Sequence, residues 1–208
     1  ERVVSVAEHL ESVATTPELR AAFNAVQPDV SAFVSSIVLS ERVWAAIKEY
    51  AATAEAKALT GVQRRFLDKT VADFKRSGAD LDASGKKRLE AIDVELAQLT
   101  LKFGQNVLDA TNAFDLVVED RQRLAGLPES AVEAARESAS AKGVAGYRLT
   151  LQGPSYLTAM AYLDDASIRE ALYRANGARG TRGEADNRPL VRRILELRHE
   201  KARLLGFA

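Results

Sequence analysis

The chain contains no cysteine, only two histidines (His9 and His199), five prolines and 6% aromatic residues in 208 positions. Without cysteine there is no thiol nucleophile, no Cys-ligated zinc, no iron–sulfur cluster and no disulfide. Two histidines cannot make a three-His metal site. Charge of one sign is missing as well: 29 Lys+Arg balance 29 Asp+Glu, so no global field draws the chain to nucleic acid or an anionic membrane. No apolar run is read as approaching the roughly 20 residues of a membrane helix, and the start, ERVVSVAEHL, has neither an initiating Met nor a signal-peptide core. A cytoplasmic, membrane-free protein is expected, cut from something longer. The 47% apolar content is enough for a substantial core without staples.

What is present is mostly helix punctuation. Thr16, Pro17 and Glu18 supply an N-cap, a first-turn proline and a first-turn acid, predicting a helix over 17–26. Pro28 is expected to open a second helix, and Ser40 to cap a third that carries Val43, Trp44, Ile47 and Tyr50. Thr60 and Gln63 have capping-box spacing ahead of Phe66, Leu67, Val71 and Phe74, with Gly78 as the stop. The strongest signal lies between Ser84 and Asn112. Leu89, Ile92, Leu96, Leu99 and Phe103 alternate steps of three and four, continued by Asn106 and Ala110, which predicts one helix of about 25 to 28 residues, close to 40 Å long.

The period then shortens. Segments 114–118 (FDLVV) and 147–151 (YRLTL) read as strands that pair into a small sheet, with an Ala-rich helix from Pro128 to Gly143 between them. Helical patterning returns with Tyr156, Leu157 and Met160, and again with Ile168, Leu172 and Tyr173. Residues 176–188 (NGARGTRGEADNR) read as an exposed, flexible connection, after which Asn187 is expected to cap a last helix. The fold class is therefore mainly α, a multi-helix array on one long helix (84–112) with a small β element. A sub-boundary is expected near residues 78–84.

No catalytic constellation stands out. His199-Glu200 invites comparison with H-E-x-x-H, but the second ligand position holds Arg203, which cannot bind zinc. His9, between Glu8 and Leu10, is similarly unsupported as a metal ligand. The glycines at 177, 180 and 183 lack phosphate-loop spacing. Residues 174–203 hold nine Arg or Lys against four acids, yet without the aromatic interleaving of a nucleic-acid platform. Ser155 and Tyr156 follow a Gly-Pro turn with no His and acid to activate them. The adjacent Asp164 and Asp165 suit a helix cap ahead of Ile168 better than an acid–base pair.

Whole phrases say more than these motifs. SGADL at 77–81, FGQNVLDATNAFDLVV at 103–118, LAGLPESA at 124–131, YRLTLQGPSYL at 147–157 and LRHEKARLLGFA at 197–208 resemble, in order, the N-terminal region of the bacterial oligopeptidase A group. That group is part of the thimet oligopeptidase and peptidyl-dipeptidase family of zinc peptidases. Thr158, where the family usually has Pro, and Ala185, where an aromatic is common, are small departures. The resemblance implies that residues 1–208 form a helical wall of a deep substrate channel that admits short peptides. It also implies that the zinc, the H-E-x-x-H helix and the catalytic Glu base lie in a C-terminal region this chain does not contain. The partners implied are that catalytic region and short peptide substrates. On this reading the chain alone is inactive, with no catalytic or metal-binding residue, no cofactor of its own and no assigned substrate-binding residue. The alternative is a free-standing helical module that binds a peptide or protein without catalysis.

Overall fold

The computed structural model describes residues 2–207. Ten α-helices and two strands follow in order among them: α1 (Arg2–Ala14), α2 (Pro17–Val38), α3 (Glu41–Ala52), α4 (Ala54–Ala58), α5 (Gly61–Arg76), α6 (Ala83–Asn112), β1 (Leu116–Val118), α7 (Glu129–Ala141), β2 (Tyr147–Leu149), α8 (Gly153–Tyr162), α9 (Ala166–Gly177) and α10 (Arg188–Leu204). Short 3-10 turns occupy Arg121–Leu124 and Gly183–Ala185. The mainly helical class with one small β element is as expected.

Local chemistry sets most helix starts. Thr16 accepts from the Leu19 N–H, Ser40 from Val43 and Thr53 from Ala56, each satisfying an amide that the first turn leaves unpaired. Thr60 holds the N-cap position of α5 without a side-chain bond, so the start is where the capping-box spacing put it while the box itself does not form. At the other end of α5, Gly78 has φ +92° and the Ala79 N–H reaches back to the Phe74 carbonyl, closing the helix in a Schellman turn. A Cβ at Gly78 would lie 2.5 Å from Leu89 Cδ2, so the turn also needs the missing side chain for packing.

Two expectations fail near the N-terminus. Pro28 does not start a new helix; α2 continues through it from Pro17 to Val38. A proline removes one amide donor and crowds the preceding turn, but a 22-residue helix keeps the remaining bonds on both sides. The continuity has a second consequence. The segment Pro17–Ala52 is long and apolar enough, by length and composition, to cross a membrane, contrary to the reading above, although little of it is buried and it breaks into α2 and α3 at Leu39–Ser40. Arg2–Ala14, for which no element was expected, form α1, and Glu11 on it is buried in an ion pair with Arg20 at 3.2 Å.

By its contacts the chain divides into two compact units. The first takes the chain up to Leu101 and again from Leu190 onward. Its fully buried side chains include Leu89, Ile92 and Leu197. Here α6 and α10 are tied by ion pairs: Arg88 donates to both carboxylate oxygens of Glu200 at 2.5 and 2.7 Å, Arg193 to both of Glu95 at 2.6 and 2.9 Å, and Lys201 meets Asp93. Glu95 meets Arg193 while Arg88, seven residues earlier on α6, meets Glu200, seven residues later on α10, so the two helices run antiparallel. Trp44 on α3 is buried, stacks on Phe74 of α5 with ring centroids 5.9 Å apart, and donates its indole N–H to Asp80 at 2.7 Å.

The second unit spans Lys102–Pro189. Strands β1 and β2 pair antiparallel, with Leu116 opposite Leu149, Val117 opposite Arg148 and Val118 opposite Tyr147. Small residues Ala135 and Ala139 on the buried face of α7 let β2 approach closely, and Val118, Leu124, Val132, Leu149, Leu163, Ile168 and Leu172 complete the core.

Candidate functional site

The residues singled out from the sequence are not gathered into one site. His199 is exposed on α10, and the neighbouring Glu200 is engaged by Arg88, whose hydrogen bonds hold that carboxyl below its ordinary range. With Arg203 one turn further on, this stretch does not fit a zinc ion. His9 is exposed on α1. Among the described residues no group of three or more His, Asp or Glu is placed to hold a metal.

The remaining candidates have structural duties. Ser155 Oγ accepts the Thr150 N–H at 2.9 Å and so links β2 to the start of α8. Asp165 is the N-cap of α9: it accepts from the amides of Ser167 and Ile168, takes the Ser167 hydroxyl, and pairs with Arg123. The Ser167 hydroxyl first, then the Ile168 amide and Arg123, hold its pKa down to about 2. Asp164, beside it, is bound through its backbone N–H to Ala125 O.

The glycine-rich stretch is more ordered than its composition suggested. Asn187 does not cap α10. Its side chain is buried, donating to the Phe103 carbonyl at 3.2 Å and accepting from Asn106 Nδ2 at 2.8 Å, while Asp186 receives the Arg188 N–H in its stead. Arg179 reaches Thr111 Oγ1 at 3.1 Å, and the Asn187 N–H closes the loop on Gly180 O at 2.7 Å. The connection is thus anchored to the end of α6. The polar Asn106, which interrupts the apolar seam of that helix, was the signal available in the sequence.

One cavity stands apart from these. A groove of about 1100 Å³ runs between α3 and α5, with α4 at one end. Its walls are Val43, Ala46, Ile47 and Tyr50 on α3 and Val62 and Phe66 on α5, and its polar neighbours are Arg42, Glu55, Gln63 and Thr70. The helical stripe on α3 was legible in the sequence; that Phe66 would be left in the open was not. A smaller cavity of about 510 Å³ lies among α7, β2 and α8, where Arg148 is already held by Asp115 and Ser138.

Residues 1–88 match the N-terminal domain of neurolysin and thimet oligopeptidase. Oligopeptidase A of Salmonella typhimurium is 37% identical over 211 residues, covering 99% of this chain. Along nearly its whole length the chain matches the N-terminal region of the oligopeptidase A and thimet oligopeptidase family. The probable cytosolic oligopeptidase A of Arabidopsis thaliana is 34% identical over 96% of the chain and 29% of its own length, and the dipeptidyl carboxypeptidase of Salmonella typhimurium 31% identical over 99% and 31%. The chain spans 31% of the length of the Salmonella oligopeptidase A. Within this family it corresponds to an N-terminal part of peptidases about three times as long.

Proposed function

We propose that residues 1–208 are the N-terminal, non-catalytic region of a zinc-dependent oligopeptidase and form a helical wall of its substrate channel. The observation that carries this reading is the match along nearly the whole chain to peptidases of which it covers less than a third. Zinc and the groups that act with it belong, on this reading, to the part of the polypeptide outside this chain; zinc supplies Lewis-acid activation of water for peptide hydrolysis. The contribution of residues 1–208 is exclusion. Packed helices pinned by ion pairs and buried side chains form a stiff wall that admits a short, extended peptide and turns away a folded chain. The partners are then the catalytic region of the same polypeptide and its peptide substrates, with no nucleic acid and no membrane, and the location is cytoplasmic, supported by the absence of cysteine and by the cytosolic relative.

The test is the polypeptide encoded by the complete gene. An H-E-x-x-H helix beyond residue 208 and chelator-sensitive cleavage of short peptides, with folded proteins left intact, are expected. A gene that ends near residue 208, or a full-length protein that cleaves no peptide, overturns the reading.

A further inference from the structure

The groove between α3 and α5 is built as one side of a helix-packing interface. Val43, Ala46, Ile47 and Tyr50 recur at i, i+3, i+4 and i+7 along one helix, and Val62 and Phe66 at i and i+4 along the other. Trp44, stacked on Phe74, fixes α3 against α5, so the valley is held open by packing beside it rather than by its own contents. Val62 is 84% and Phe66 72% exposed, whereas polar side chains a contact could use lie at the margin, with the Tyr50 hydroxyl already donating to Glu55. A concave apolar valley bordered by polar groups matches the apolar stripe of an amphipathic helix. It suits neither a charged peptide, which would find no buried partner, nor a bilayer, which needs a convex face.

Resting on the reading above, we propose that this groove seats an amphipathic helix from the part of the same polypeptide that the relatives possess and this chain does not span. The length argues for this occupant: the chain covers 31% of the Salmonella oligopeptidase A, so more than half of such a polypeptide is available to cover the groove at high effective concentration. The groove is thereby a joint between the N-terminal region and the remainder, not a place where substrate binds.

The experiment places the photo-reactive residue p-benzoylphenylalanine at Phe66 of the full-length protein, and separately at Val62 in case the first variant folds poorly, irradiates at low protein concentration, and maps the adduct by mass spectrometry. The expected result is an intramolecular adduct to a segment beyond residue 208, at residues spaced three or four apart. An adduct to a second copy, to an added peptide substrate or to added lipid vesicles overturns the proposal, as does labelling by solvent alone at both positions. Peptide hydrolysis is measured on the unsubstituted protein in parallel. An intramolecular downstream adduct with no hydrolysis defeats the functional reading and leaves the joint standing; hydrolysis with an adduct to substrate does the reverse.

Discussion

Asn106 and Asn187, 81 residues apart, meet in a buried hydrogen bond of 2.8 Å, and the same Asn187 amide also donates to the Phe103 carbonyl. A buried amide whose partner is removed carries its full desolvation cost. Asn187→Ala is therefore expected to destabilise the second unit by about 1–3 kcal/mol. In a double-mutant cycle with Asn106→Ala the two costs should not add, because each variant breaks the shared bond. Urea unfolding followed by circular dichroism checks both statements; strictly additive losses would separate the two side chains energetically.

Gly180 makes that contact possible. Its φ is +67°, and a Cβ there would lie 2.7 Å from Asn187 Nδ2. Gly177, three residues earlier, has an open surrounding and closes α9. Gly180→Ala should cost more than about 1 kcal/mol, whereas Gly177→Ala should be neutral or stabilising by up to about 1 kcal/mol. Opposite behaviour in thermal melts would contradict the anchored loop.

Much of this was readable from short patterns and some was not. Gly78, Ser40 and Asp165 act through bonds to backbone groups within five residues, so their roles follow from local sequence. Pro28 misled because its local cost is overridden by the helix on either side. Asn187 was mistaken for a cap because its real partners, Phe103 and Asn106, are more than eighty residues away. The groove was invisible for a related reason: apolar periodicity marks a face to be buried, and nothing in it says what will do the burying.

The caps make the stability depend on acid. Asp165 and Asp186 have folded pKa values of about 2, against an ordinary 3.8, the second chiefly through the Arg188 side chain and amide. A depressed folded value means the contribution is complete above the unfolded pKa and is lost as pH falls from about 4 towards 2. Asp165→Asn, which keeps an acceptor at the cap but cannot titrate, should flatten the fall in denaturation midpoint over that window. An unchanged slope would show that the carboxylate contributes nothing.

Packing should outweigh the ion pairs between α6 and α10. Arg88 and Glu200 are both more than 40% exposed, so Arg88→Ala should cost little and that cost should shrink in high salt. Leu197 is fully buried in the same unit, and Leu197→Ala should cost about 2–5 kcal/mol with little salt dependence. Denaturant titrations at two ionic strengths distinguish them.

The central claim is that residues 1–208 supply the wall and no ligand to the zinc. Its most direct test is metal content together with peptide hydrolysis in the full-length protein carrying His9→Ala and His199→Ala, which removes every imidazole from this region. The account predicts unchanged, chelator-sensitive hydrolysis and an unchanged metal stoichiometry. Loss of the bound metal, with hydrolysis falling in step, would contradict it.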